Sequence, residues 1–188
     1  MKRIVCLAAA AALCATSAFA QMGQGPTKTG LAAGLQRSYN GTKQNLTQEL
    51  DKMPEGDIGF QPTKEVRTFG QLFGHVANSM FNTCSAVKGV ANPNQGNDLE
   101  KKTTKAEFAK GLADALALCD DAFASLTDEN AGQMIKQGQN EIARGAALAG
   151  VIGHNNEMYG TGVVYLRLKG IVPPSTERMQ QMRRPGGL

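Results

Sequence analysis

The chain has 188 residues, about one domain, and its 41% hydrophobic and 19% charged residues suit a single packed core rather than a disordered or collagen-like chain. Lys and Arg outnumber Asp and Glu by 20 to 16, and Lys2 and Arg3 carry two of the four net charges, so the concentrated basic stripe of a nucleic-acid binder is lacking. With only two histidines, the sequence excludes any site that needs three from one subunit.

Residues 1–20 read as a signal peptide. Met1-Lys2-Arg3 is a positive start, Ile4 to Leu13 an apolar stretch and Ala18-Phe19-Ala20 an A-x-A cleavage site. The apolar run is too short to span a bilayer. A lipid anchor on Cys14 is disfavoured by Leu13, where lipoprotein signals want a small residue. The expectation is an exported protein, periplasmic or secreted, cleaved near Ala20 and without a membrane span. Cys6 and Cys14 leave with the signal, and the remaining pair, Cys84 and Cys119, reads first as a disulfide in an oxidising compartment.

Residues 21–29 form a Gly/Gln/Pro-rich tail expected to be flexible. Leu31, Leu35, Tyr39, Thr42, Leu46 and Leu50 then recur at helical spacing until Met53-Pro54-Glu55-Gly56. Thr68 and Gln71 form a capping-box pattern ahead of a second stripe through Phe69, Phe73, Val76, Met80 and Val87, ending at Gly89. Residues 91–103 read as a linker. Thr104 and Glu107 make another capping box before Phe108, Leu112, Ala115, Cys119 and Phe123. Residues 127–143 are polar and read as a loop with at most one helical turn. A last helix spans about Arg144 to Lys169, with Gly170 at the position after its cap and Pro173-Pro174 beyond. No segment alternates with period two, so strands are not expected. The reading is all-α: a four-helix bundle over 30–178 and a flexible C-terminal tail over 179–188.

The last helix carries His154-Asn-Asn-Glu157-Met158-Tyr159-Gly160 and ends in Tyr165-Leu-Arg-Leu-Lys-Gly-Ile-Val-Pro-Pro. Together with Phe60-Gln-Pro and Arg67-Thr-Phe-Gly-Gln-Leu-Phe-Gly-His75, it resembles the DinB family. The resemblance covers roughly Leu31 to Glu177. It implies a bundle with an up-down-down-up path, a crossover between the second and third helices, and a divalent metal such as Zn or Ni in a central cleft. It also implies three histidine ligands, one on the second helix and two spaced i and i+4 on the fourth. Some relatives are metal-dependent hydrolases or thiol transferases.

Carried over by position, the ligands are His75, His154 and residue 158, which here is Met158. His154 and Met158 lie about 40° apart on one side of a helix. Glu157 points towards a more polar face and is a substitute-ligand candidate. Three readings stay open: Met158 as core filling with the metal site lost, a weakened His75/His154/Glu157 site, and Cu(I) held by two imidazoles and a thioether. Without metal, Asn155, Asn156 and Tyr159 are local hydrogen-bond candidates for the histidines.

Cys84 and Cys119 both fall near the C-terminal ends of their helices. Antiparallel helices would separate them by on the order of 15–20 Å, whereas a disulfide needs Cα atoms within about 7 Å. Parallel helices bring them to one end, and a linker over 90–103 can reach ~46 Å. A Cys84–Cys119 bridge is therefore expected. Cys84 faces away from His75, which disfavours a Cys-His hydrolase. Two function classes remain: a metal-dependent enzyme, and a non-catalytic bundle that binds a small molecule or a partner protein. A homodimer through helix faces is compatible with either.

Overall fold

The structure, a computed structural model, describes residues 29–184; the expected signal peptide lies outside them. Its elements are α1 (Leu31–Lys52), α2 (Phe69–Lys88), α3 (Lys105–Ala124), β1 (Met134–Gln137), β2 (Asn140–Ala143), α4 (Arg144–Leu168) and α5 (Pro174–Met182), with 3-10 turns at Glu55–Asp57 and Leu99–Lys101.

Local chemistry sets the start of α2 and α3. Thr68 Oγ1 accepts from the Gln71 amide at 3.2 Å while Gln71 Oε1 accepts from the Thr68 amide at 2.9 Å. Thr104 and Glu107 repeat the exchange on α3. Each box satisfies two amides that a helix start would otherwise leave bare. Gly89 ends α2 in the left-handed region, at φ 66°, a conformation that favours glycine.

Contacts between helices give the path. Gly70 meets the Phe108 ring near the starts of α2 and α3, and Cys84 meets Cys119 near their ends, so these helices run parallel. α1 opposes α3, because the Tyr39 hydroxyl donates to the Leu116 carbonyl near one end while Lys105 Nζ donates to the Asp51 carbonyl at the other. α4 opposes α2: Tyr165 near its end donates to the carbonyl of Arg67, which precedes α2. The order is up-down-down-up, as the family resemblance implies.

The core joins the three stripes read from the sequence to a buried face of α4. Leu46, Leu50, Phe69, Phe73, Val76, Met80, Leu112, Phe123, Leu148 and Leu166 are all buried. Tyr39 stacks on Phe123 with ring centroids 4.0 Å apart and spends its hydroxyl on Leu116 and Asp120. Asp120 is half-buried and also receives Lys43 Nζ at 2.5 Å.

Two expectations are corrected. Residues 134–143 form an antiparallel hairpin instead of a loop, with Ile135 opposite Ile142 and Gln137 opposite Asn140. The turn uses Gly138 at φ 62°, and both isoleucines pack against the core. Strands of four residues put only two side chains on each face, too few to show as alternation. Second, α5 runs through Met182, so residues 179–182 are helical rather than part of a tail. Its segment is polar and buries only Pro174, which leaves no apolar stripe to read.

The crossover between α2 and α3 is held by asparagines. Asn92 Nδ2 donates to Asn82 Oδ1 at 2.6 Å, and Asn94 Nδ2 donates to Asn78 Oδ1 at 3.1 Å. Asn78 also accepts from the Leu99 amide at 3.2 Å and donates to Asp98 Oδ1 at 2.9 Å. These bonds lay residues 92–99 back along α2.

Candidate functional site: a histidine pair beside the bundle cleft

His75 lies in the second turn of α2, and His154 lies on α4. Their Nε2 atoms are 3.1 Å apart, so the only two imidazoles in the sequence meet although 79 positions separate them. The other side of His75 is occupied: Nδ1–H donates to Glu100 Oε1 at 2.8 Å. Glu100 in turn accepts from Arg67 Nε at 2.8 Å. Burial raises the Glu100 carboxyl, but hydrogen bonds from Arg67 and His75 outweigh it and hold the group below its ordinary value. An ionised carboxylate only accepts, so it keeps a proton on Nδ1 and turns the Nε2 of His75 towards His154.

His154 is half-buried, and burial first, then the charge of His75, hold its imidazole below the usual histidine value. Its Nδ1 is buried with no hydrogen-bond partner among the described residues. Of the three local partners suggested by the sequence, Asn155 acts on the His154 ring, favouring its protonated form, while Asn156 and Tyr159 are engaged elsewhere. Asn155 donates to Met80 Sδ, Asn156 accepts from Thr42, and Tyr159 donates to Ser175. Each also meets a neighbour across the bundle, and the Nε2 partner of His154 is His75.

A cleft of about 960 Å³ opens on the side of Glu100 and Met158; its wall includes Glu65, Arg67, Leu72, Glu157 and Tyr165, and neither histidine lines it. Met158 is half-buried, packs against the core and lines this cleft. Glu157 is exposed at the same wall. Cys84 and Cys119 form the expected pair, with Cα atoms 5.2 Å apart and both residues fully buried, on the side of α2 away from His75.

Glu100 and Arg67 complete the arrangement, and the sequence reading assigned a role to neither. Glu100 sits in what reads as linker, 25 positions from its histidine. Arg67 belongs to the motif ahead of α2, where its presence was visible but its partner was not.

The histidines fit two positions around one ion. Nitrogens each about 2.0–2.1 Å from a metal stand about 3.0–3.4 Å apart at angles near 95–110°. Glu100 on the far nitrogen of His75 matches the carboxylate–histidine pairing usual behind metal ligands. The donors for a third hard ligand do not match: no three His, Cys, Asp or Glu side chains among the described residues come together as a metal-binding set. Met158, where the resemblance implies a third histidine, offers only a thioether.

A bundle with this path and a histidine pair beside a cleft defines a class of protein. The sequence profile of the DinB superfamily matches residues 39–161, and the chain belongs to that superfamily. Solved structures agree on the fold. A DinB-like protein from Bacillus cereus ATCC 10987 superposes with a TM-score of 0.65 at 18% identity, covering 75% of this chain and 94% of its own. A conserved protein from Enterococcus faecalis gives 0.59 at 15% identity, with 74% and 96% covered. A DinB-like protein from Bacillus subtilis gives 0.56 at 17% identity, with 73% and 92% covered. No curated protein matches the sequence.

Proposed function

We propose that this chain is an exported DinB-like protein that binds a metal ion between His75 and His154 and receives a small molecule in the adjoining cleft. The observation that carries the reading is the 3.1 Å approach of the two Nε2 atoms, made by the only histidines in the sequence. Export is supported by the signal-like residues 1–20 and by the buried cysteine pair. No described helix is long and apolar enough to cross a membrane.

In such a site His75 and His154 bind through Nε2, and Glu100 orients His75 by holding Nδ1–H. Arg67 keeps Glu100 ionised and in place. A bound ion would supply Lewis acidity towards a ligand oxygen or sulfur in the cleft. Leu72, Met158 and Tyr165 line that cleft with largely apolar surface that excludes water from one side of a ligand.

The test is metal content of the chain purified from an exporting host without an added histidine tag. Near-stoichiometric metal that His75→Ala and His154→Ala both remove supports the reading, and a wild type empty of every metal offered rejects it. A second reading, a non-catalytic bundle that binds a small ligand or partner without metal, draws on the missing third hard ligand. Metal binding restored in an otherwise empty protein by Met158→His would favour it.

A further inference from the structure

We infer that the cleft between residues 62–67 and α4 takes an organic cation, a protonated amine carried on an apolar body. This rests on the small-molecule reading of the cleft above and names the ligand class; it does not depend on the metal. Three features of the wall support it.

The first is charge. Glu65, Glu100 and Glu157 line the cleft against a single base, Arg67, and no lysine lines it. Glu100 and Arg67 answer each other: Arg67 Nε donates to Glu100 Oε2 at 2.8 Å and a second guanidinium nitrogen donates to Oε1 at 3.4 Å. Glu65 and Glu157 are exposed and enter no ion pair with a lysine or arginine among the described residues. Glu157 does act on His154, but burial holds that imidazole towards its neutral form. Two negative charges on the wall are thus left unbalanced.

The second is apolar surface. Pro62 and Val66 ahead of α2, Leu72 on α2, and Met158, Val164 and Tyr165 on α4 line the same cleft. Val66 and Val164 stay 44% and 52% exposed, one from each of the two segments that form the walls. Covering them favours a ligand with a hydrocarbon body over a hydrated inorganic ion. The cleft's volume of about 960 Å³ falls in the range of small-molecule sites.

The third is the lack of a receptor for an anion. The Arg67 guanidinium is engaged by Glu100, which also receives His75 Nδ1–H at 2.8 Å. An anionic ligand would have to break that pair or place its charge beside Glu65 and Glu157. Glu100 also supplies a reporter. It lines the cleft and holds His75, so a cation bound there alters the field at the His75 ring.

The experiment offers the chain three probes that share one skeleton, phenylbutylammonium, phenylbutanol and phenylbutyrate, at neutral pH and low salt. Binding is followed through the Val66 and Val164 methyl resonances and the His75 ring. The ammonium probe should bind about fivefold or more tightly than the alcohol, the size that two partly exposed charge contacts supply, and the carboxylate should bind most weakly. Added salt should shrink the preference. Glu65→Gln combined with Glu157→Gln should bring the ammonium probe down to the alcohol's affinity, with a thermal melt to show that the variant folds. An alcohol or carboxylate bound as tightly as the ammonium, or a preference that survives in the folded double variant, would overturn the choice of a cation and leave the small-molecule reading standing. Binding of no probe at millimolar concentration, or shifts that miss Val66, Val164 and His75, would overturn the cation and the cleft reading together. The metal titration is decided separately from either result.

Discussion

Gly74 lies so close to Leu99 that a Cβ on it would stand 2.5 Å from the Leu99 carbonyl oxygen. The crossover therefore touches the backbone of α2 one residue before His75, and this close approach puts Glu100 within reach of the His75 ring. Gly74→Ala tests that relationship because two effects oppose each other. Helix propensity alone favours alanine by about 1 kcal/mol, whereas overpacking against backbone costs about 1–3 kcal/mol. The clash should win: urea unfolding should show a net loss, and the His75 ring resonances should shift. A stabilised variant with unchanged His75 resonances would mean that the approach does not govern the site.

Glu100→Ala should release His75. Its Nδ1–H would lose its acceptor, and Arg67 would lose its ion pair at 2.8 Å. Stability should fall by about 1–2 kcal/mol. Nitrogen-15 spectra should show His75 moving from one tautomer to a mixture, and metal affinity should fall by roughly 10–100-fold. An unchanged tautomer would refute the orienting role.

Glu49 gives a pH dependence of known sign. It is fully buried between α1 and α4 against Gly162, and neither carboxyl oxygen has a partner among the described residues. Burial pushes its pKa from 4.5 up to about 9. The folded state then holds a proton that the unfolded state releases above about pH 4.5, so stability is fully present below that value and declines as pH rises towards 9. The slope is on the order of 1 kcal/mol per pH unit. Glu49→Gln should flatten the curve of stability against pH between 5 and 9. Parallel curves for the two proteins would refute it.

The cysteine pair closes a loop with a sequence separation of 35, so opening it should cost about 3–4 kcal/mol on the chain-entropy account. Replacing both residues by alanine should lower the urea midpoint by the corresponding amount without altering the far-ultraviolet helical signal. A much smaller loss would point to residual structure in the unfolded chain.

What the sequence disclosed follows from the range of each interaction. The capping boxes at Thr68 and Thr104 span three residues and were legible outright. The apolar stripes of α1, α2 and α3 were legible because a helix repeats its buried face. Position along those helices, together with the expectation of export, was enough to pair Cys84 with Cys119. The hairpin over 134–143 was not legible, since its strands are too short to declare a period. Glu100 was not legible either: its place beside His75 depends on how the Asn78–Asn92–Asn94 network folds the crossover. His154 illustrates a different limit. The sequence supplied three polar neighbours within five residues, and the bundle turned Asn156 and Tyr159 towards other elements while bringing His75 to the ring from α2.

The parallel course of α2 and α3 has a consequence for how the site is walled. In an up-and-down hairpin the chain would leave α2 at its far end and turn straight into α3, never passing His75 again. Here it must travel back the length of α2 before α3 can begin, and on that return it lays Glu100 against a histidine it left 25 residues earlier. The connection thus serves as a wall of the cleft, and variation in its sequence or length can retune the histidine pair while leaving the bundle's helix faces as they are.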